Sequence, residues 1–287
     1  MLGSVFAIGC MQPRPAEPLP ITTSLADTEA ELFNTDVVAL RTMLGRAGIG
    51  LEARGTATML ETARCADNRP GCVRCELAGE ATPRDEAALA AITTAFARYP
   101  TRVLDAAGIE HVALCRRIVQ TIGPTDPMGL SDLEDHRMLI SFAWFGDAPS
   151  IADTAETIVH HELYHLLEWK RTPEVEDFDV EWTRTNPIGF VYAPHDPGGK
   201  RELGFVNSYA ETNPVEDRAS TFELLMADPD QLCAIAVADP IVRAKTRILW
   251  RRVAEIDGDD FLRERAQCVD WIDETSAGGG LVLRAPR

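Results

Sequence analysis

Residues 158–167 read IVHHELYHLL, and this stretch decides the fold. Its apolar residues recur three to four positions apart, which predicts a helix with a wide buried face. They are Ile158, Val159, Leu163, Leu166 and Leu167. The helix is predicted to begin near residues 150–154, where Ser150 or Asp153 can cap its first turn. We therefore expect this segment to lie deep in the core.

The same helix carries a metal-binding pattern, H-E-x-x-H, at residues 161–165. His161 and His165 are about one turn apart, so both imidazoles project toward a common point, where neutral nitrogens are good zinc ligands. Glu162 lies about 100° round the helix, from where its carboxylate can take a proton from water beside the metal. His160 points to a different face and is predicted to be structural. The pattern predicts a zinc-dependent hydrolase.

A catalytic zinc site usually has three protein ligands and one open position. One subclass takes its third histidine from the extended pattern H-E-x-x-H-x-x-G-x-x-H, but Glu168 and Arg171 occupy the corresponding positions here. That subclass is excluded, and the remaining source is an acid on a later helix. The candidates include Glu211, Glu216 and Glu223, together with many acids in loops.

Residues 204–219 read GFVNSYAETNPVEDRA. This stretch resembles the second signature, roughly F-x-x-x-Y-A-x-x-N-x-x-E-D-x-A-E, of the zinc-binding metallopeptidases of bacterial lipoproteins. These are gluzincin-type enzymes related to the anthrax lethal factor and Pro-Pro endopeptidase clan. The resemblance covers about residues 85–230 and implies that Glu216 is the third zinc ligand. It also implies that Tyr209 donates its hydroxyl to the oxyanion formed during peptide hydrolysis.

The resemblance further implies an α+β fold, a mostly helical zincin-like domain with a small sheet and an active-site helix, preceded by an N-terminal helical segment. Zinc is the implied cofactor, and a protein or peptide is the implied substrate. One position departs from the family. Ser220 stands where a second glutamate often braces the metal site, and Asp217 or Glu223 could take over that contact.

Composition narrows the choice of partners. The 287 residues carry 28 Lys and Arg against 45 Asp and Glu, a formal net charge of −17. Such an acidic surface repels phosphate backbones, so nucleic-acid binding is not expected. The hydrophobic share of 45% is that of an ordinary globular protein. The charge pattern says nothing about oligomeric state.

Three regions are predicted along the chain: a leader and Pro-rich tether at 1–24, a helical and Cys-containing segment at 25–83, and a catalytic domain with C-terminal helices at 84–287. Within them we predict the following elements. Helices are expected at 85–107, 215–226 and 240–272, strands at 111–115 and 137–145, and a loop at 65–83.

The N-terminal sequence is evidence for the cellular location of the protein. An apolar run at residues 1–9 ends in small residues before Cys10, and a Pro-rich stretch follows at 13–20. This order resembles a bacterial lipoprotein signal, which implies export and a lipid anchor on Cys10. The alternative is a tail without structure on a cytoplasmic protein.

Six further cysteines follow, an even number that favours disulfides in an oxidising compartment, although spacing does not reveal their pairing. The alternative is a structural zinc site built on Cys72 and Cys75.

Two other functions compete with a zinc peptidase. One is a surface-anchored protein that keeps zinc, or only the fold, without efficient turnover, and Ser220 favours it. The other is a cytoplasmic structural protein in which the H-E-x-x-H pattern is accidental. His195, in a turn, is a further candidate donor at the predicted cleft.

Overall fold

The protein has an α+β fold, as the sequence predicts. The computed structural model describes residues 25–53, 59–62, 65, 72–78, 83–120, 127–144, 151–171, 179–193, 201–258 and 260–263. In chain order its regular elements are α1 (Leu25–Arg46), β1 (Gly50–Glu52), β2 (Met59–Glu61), β3 (Val73–Leu77), α2 (Pro83–Ala97), α3 (Thr101–Ala107), β4 (His111–Gln120), β5 (Gly129–Asp132), β6 (Arg137–Ser141), α4 (Ile151–Arg171), α5 (Val180–Thr183), α6 (Pro214–Ala227), α7 (Pro229–Ala238), α8 (Pro240–Asp257) and α9 (Asp260–Arg263). The predicted leader with Cys10, and His195, lie outside the described residues.

The strands form one sheet in the order β2-β3-β4-β6-β5, and β1 also pairs with β4. The long strand β4 runs parallel to β6 and β1 and antiparallel to β3. Strand β5 pairs antiparallel with β6 and forms one edge. That edge lies beside α4, so β5 contacts the helix that carries His161 and His165.

The two faces of the sheet are covered differently. Val112 and Leu114 of β4 belong to the main core, which is shared with the helices. Ala113 and Cys115, between and after them, belong to a smaller apolar cluster on the other face. This alternation follows from the two-residue period of a strand. The helices therefore pack on one face, and α4 is buried from Ile158 to Leu167 apart from His165.

Two predicted helices are shorter in the structure. The helix predicted over 85–107 is two helices, because Pro100 lacks the amide proton that would continue the first. The second ends as predicted at Gly108, whose φ of 63° suits a residue without a Cβ. The helix predicted over 240–272 ends at Asp257, where Gly258 follows with a φ of 70°.

The loop predicted over 65–83 is wrong in part, because it contains strand β3. Buried Val73, Cys75 and Leu77 alternate with more exposed residues, as a strand with one covered face requires. The surrounding Gly, Pro and Cys residues obscured this short alternation in the sequence.

Disulfides account for the cysteines of this region. Cys65 is bonded to Cys72, and Cys75 is bonded to Cys115, which ties β3 to β4. Cys233 is also disulfide-bonded. The alternative zinc site on Cys72 and Cys75 is therefore wrong, because both sulfurs are already used. Disulfides of this kind are typical of proteins in an oxidising, exported environment.

None of the helices in the described part of the chain is both long and apolar enough to cross a membrane.

Candidate metal centre

Helix α4 holds the two histidines of the predicted site. Asp153 in its first turn and Lys170 and Arg171 in its last turn complement the helix dipole. His161 is buried and His165 is partly buried, at the point where α4 meets α6. Their rings make an edge contact, with centroids 4.8 Å apart.

Helix α6 brings the third candidate ligand. Asn213 caps this helix, since its side-chain oxygen accepts hydrogen bonds from the backbone N–H groups of Val215 and Glu216, both at 2.9 Å. Pro214 occupies the first turn, where its missing N–H costs nothing. The cap fixes Glu216 in the first turn of α6, facing α4.

The three predicted ligands meet at one point. Glu216 Oε2 lies 2.9 Å from His161 Nε2 and 3.5 Å from His165 Nε2, and the two histidine nitrogens are 3.1 Å apart. Ligands of a tetrahedral zinc at about 2.0–2.1 Å lie about 3.3–3.4 Å from one another. The spacing fits zinc without rearrangement of the helices. Within the described residues, these three are the group of His, Cys, Asp and Glu side chains able to hold a metal ion.

The electrostatic field at this point favours a cation. Burial alone lowers the pKa of His161, but hydrogen bonds to Glu216 and Glu223 raise it well above its ordinary value. Burial alone raises the pKa of Glu216, but His165 and His161 bring it well below its ordinary value. The carboxylates around His161 and His165 thus stabilise positive charge at this point. A divalent cation at this point would be stabilised by the same carboxylates.

Glu223 contacts the His161 ring at Nδ1, the nitrogen that does not face Glu216. Its Oε2 lies 3.0 Å from His161 Nδ1, so that nitrogen donates to the carboxylate and Nε2 is left as the nitrogen facing Glu216. Ser220 does not share this role, because its buried hydroxyl has no hydrogen-bond partner among the described residues. Glu223 lies about one helical turn beyond Ser220 on the same helix. Of the sequence alternatives for that contact, the structure therefore favours Glu223.

Asp217 belongs to a different cluster. Its Oδ2 accepts hydrogen bonds from Trp182 Nε1 at 2.8 Å, Tyr192 Oη at 2.9 Å and Lys245 Nζ at 2.6 Å. Lys245 Nζ also donates to the carbonyl of Gly204 at 2.7 Å. These contacts join α6 to α5, to α8 and to the segment before Tyr209. Asp217 therefore supports the site indirectly, by holding these elements together.

Glu162 lies beside the three ligands and is only 8% exposed. Burial raises its pKa, and the neighbouring His161 and His165 oppose that shift. Its Oε2 accepts a hydrogen bond of 2.8 Å from Ser131 Oγ, on the edge strand β5. The carboxylate is thus held in a buried position next to the ligands.

Tyr209 lies on the open side of the site. It is 39% exposed, and its ring centroid is 5.7 Å from that of His161. Its hydroxyl is hydrogen-bonded to Glu216, and burial together with the nearby Glu216 and Glu162 raises its pKa. The hydroxyl therefore keeps its proton and donates it to the Glu216 carboxylate in this structure.

His160 faces away from this group, as predicted. Its Nδ1 lies 2.6 Å from the Tyr99 hydroxyl and its Nε2 lies 3.4 Å from Arg98 Nη1. It is fully buried and joins α4 to α2. This histidine is part of the core packing.

Ser131 and Gly129 are neighbours of Glu162 that the sequence did not reveal. They lie on a four-residue strand whose pairing with β6 brings it against α4. Such a short segment carries no pattern that predicts its contact with a helix some thirty residues later.

Comparisons with known proteins add little to this geometry. No protein-family model matches the chain, and no curated protein matches it. Among solved structures, the chain is similar to a candidate zinc-binding metallo-peptidase from Bacteroides caccae, with 16% identity and a TM-score of 0.49. The match covers 87% of this chain and 95% of the other. At these values the likeness supports no statement about function.

Proposed function

We propose that the protein is a zinc-dependent peptidase in which His161, His165 and Glu216 hold the metal and Glu162 is the general base. The observation that carries this proposal is the convergence of the three ligand atoms at 2.9–3.5 Å from one another, with Glu162 and Tyr209 beside them. A zinc ion in such a site polarises a carbonyl and lowers the pKa of water toward about 7.

The side chains around the ligands have separate tasks in this proposal. The Glu162 carboxylate takes a proton from the attacking water and passes it to the leaving amine. The Tyr209 hydroxyl donates a hydrogen bond to the oxygen of the scissile carbonyl as negative charge develops on it. Glu223 holds the His161 ring in the required orientation.

The proposed enzyme acts outside the cytoplasm on proteins or peptides. The disulfides Cys65–Cys72 and Cys75–Cys115 support this location. A lipid on Cys10 would hold the enzyme at a membrane surface, and the mass of the N-terminal peptide of the membrane-extracted protein tests that anchor.

The function is tested by metal content and cleavage together. We expect the purified protein to contain about one zinc per chain, as a three-ligand catalytic site implies. It should cleave members of a peptide library, lose that activity when a chelator removes zinc, and regain it on reloading. The His161→Ala variant should lose the metal, whereas His111→Ala, at a half-buried histidine outside the site, should keep it.

The same measurement separates the competing functions. A wild-type protein without zinc contradicts the proposal. Bound zinc with no cleavage of any library member supports a zinc-binding protein without turnover. Because Glu223 supplies a carboxylate to His161, the absence of an acid at Ser220 no longer favours that alternative.

The role of Glu223 leads to a further prediction. Glu223→Ala should raise the zinc dissociation constant about 10- to 100-fold, because His161 loses the carboxylate that orients its ring. Competition with a chromophoric zinc chelator measures this change. Ser220→Ala is the matched control on the same helix and should change affinity less than twofold. An equal loss in both variants would show that the bracing contact lies elsewhere.

A further inference from the structure

The edge strand β5 lies in direct contact with the general base of the proposed reaction. Ser131 Oγ lies 2.8 Å from Glu162 Oε2 and 2.7 Å from the backbone carbonyl oxygen of Glu162. One hydroxyl therefore bridges two acceptors of the same residue. A hydroxyl has a single proton, so it donates to one of these acceptors at a time.

The strand reaches this position because residue 129 is glycine. A Cβ added at Gly129 would lie 2.7 Å from Glu162 Oε1 and 2.7 Å from Ile158 Cγ2, closer than real Cβ atoms approach other atoms. Ser131, two residues on, extends from the same face of the strand. The strand therefore confines both carboxylate oxygens, Oε1 by close packing and Oε2 by a hydrogen bond.

We propose that Ser131 is a positioning residue for Glu162 and that its hydroxyl holds the carboxylate beside the metal ligands. This proposal rests on the proposed peptidase function. When Glu162 is ionised, the Ser131 hydroxyl donates to Oε2.

Substitutions of Ser131 by alanine, threonine and valine are expected to affect the Glu162 carboxylate differently. Alanine removes both contacts, and valine fills the volume without a hydroxyl. Threonine keeps the hydroxyl and suits a strand. The matched control is Ser141→Ala on the adjacent strand β6, because Ser141 is a buried serine whose hydroxyl accepts from the backbone N–H of Ala143.

The kinetic test uses the full-length zinc-loaded protein and one cleaved peptide. We expect Ser131→Ala to lower kcat about 10- to 100-fold with KM changed less than twofold, as expected when a reacting group is misplaced. Zinc content should be unchanged, Ser131→Thr should restore most of kcat, and Ser141→Ala should match wild type. A wild-type kcat in Ser131→Ala, or an equal loss in Ser131→Thr, would overturn the proposal.

A second measurement does not depend on peptidase activity. The thermal unfolding midpoint is compared for Ser131→Ala in the wild-type background and in a Glu162→Leu background. We expect the drop caused by Ser131→Ala to be at least halved when the Glu162 carboxylate is absent. Equal drops would show that the two side chains are not coupled and would overturn the positioning role. If the zinc-bound wild-type protein cleaves no peptide, the proposed peptidase function is wrong. The comparison of the two backgrounds still shows whether the Ser131 and Glu162 side chains are coupled.

Discussion

Glu162→Gln is expected to lower kcat about 10²- to 10⁴-fold while the protein keeps its zinc. Glutamine has nearly the same shape and can still accept a hydrogen bond from Ser131, but it cannot take a proton from water. The His161, His165 and Glu216 side chains are unchanged, so metal binding should persist. Steady-state hydrolysis of a cleaved library peptide and zinc analysis of the same sample measure the two effects.

The control for this variant is Glu110→Gln, at an exposed acid before β4 that lies outside the site. It should have wild-type kcat and zinc content. Near-normal hydrolysis by Glu162→Gln would mean that another group accepts the proton. Loss of zinc in that variant would instead mean that Glu162 helps to hold the metal, which the present geometry does not predict.

Lys245→Met is expected to destabilise the fold by about 3–5 kcal/mol, because it leaves the Asp217 carboxylate buried without its counter-charge. Both side chains are at most 1% exposed, and their charged atoms are 2.6 Å apart. Burial raises the pKa of Asp217 and lowers the pKa of Lys245, even though each attracts the other. Desolvation therefore outweighs the attraction, and an unpaired member of the pair should be costly.

The free energy of unfolding in urea measures this loss, and a double variant tests its cause. Asp217→Asn combined with Lys245→Met removes both charges and keeps an oxygen to accept from Trp182 and Tyr192. It should be more stable than Lys245→Met alone. A double variant no more stable than the single one would show that the loss comes from the other contacts of the lysine, the hydrogen bond to the Gly204 carbonyl and the packing of Nζ 3.8 Å from the Phe205 ring centroid.

Much of the local structure was predictable from the sequence. The helical spacing of apolar residues around His161 predicted α4, and a helix was predicted over 215–226, where α6 lies. Errors arose where one residue interrupts a longer pattern, as Pro100 does between α2 and α3. They also arose where a strand is too short to show a clear period, as in β3.

The site was predicted less completely than the helices that carry it. The four-residue spacing placed His161 and His165 together, because that spacing is one helical turn. Glu216 and Tyr209 followed only from a resemblance, since no local rule joins residues some fifty positions apart. Ser131 was missed and Glu223 stayed one of several alternatives, because each contact depends on how a second element packs against α4.

The sequence by itself predicted two histidines and an acid on one buried helix, a second helix over 215–226 with Glu216 near its start, and cysteines suited to disulfides. Those features depend on residues within one turn or one strand of each other, and backbone geometry relates such residues directly. Only the tertiary structure decided that Glu216 completes the group, that Glu223 rather than Ser220 orients His161, and that β5 confines Glu162. These contacts depend on the packing of α6 and β5 against α4, which the whole core sets.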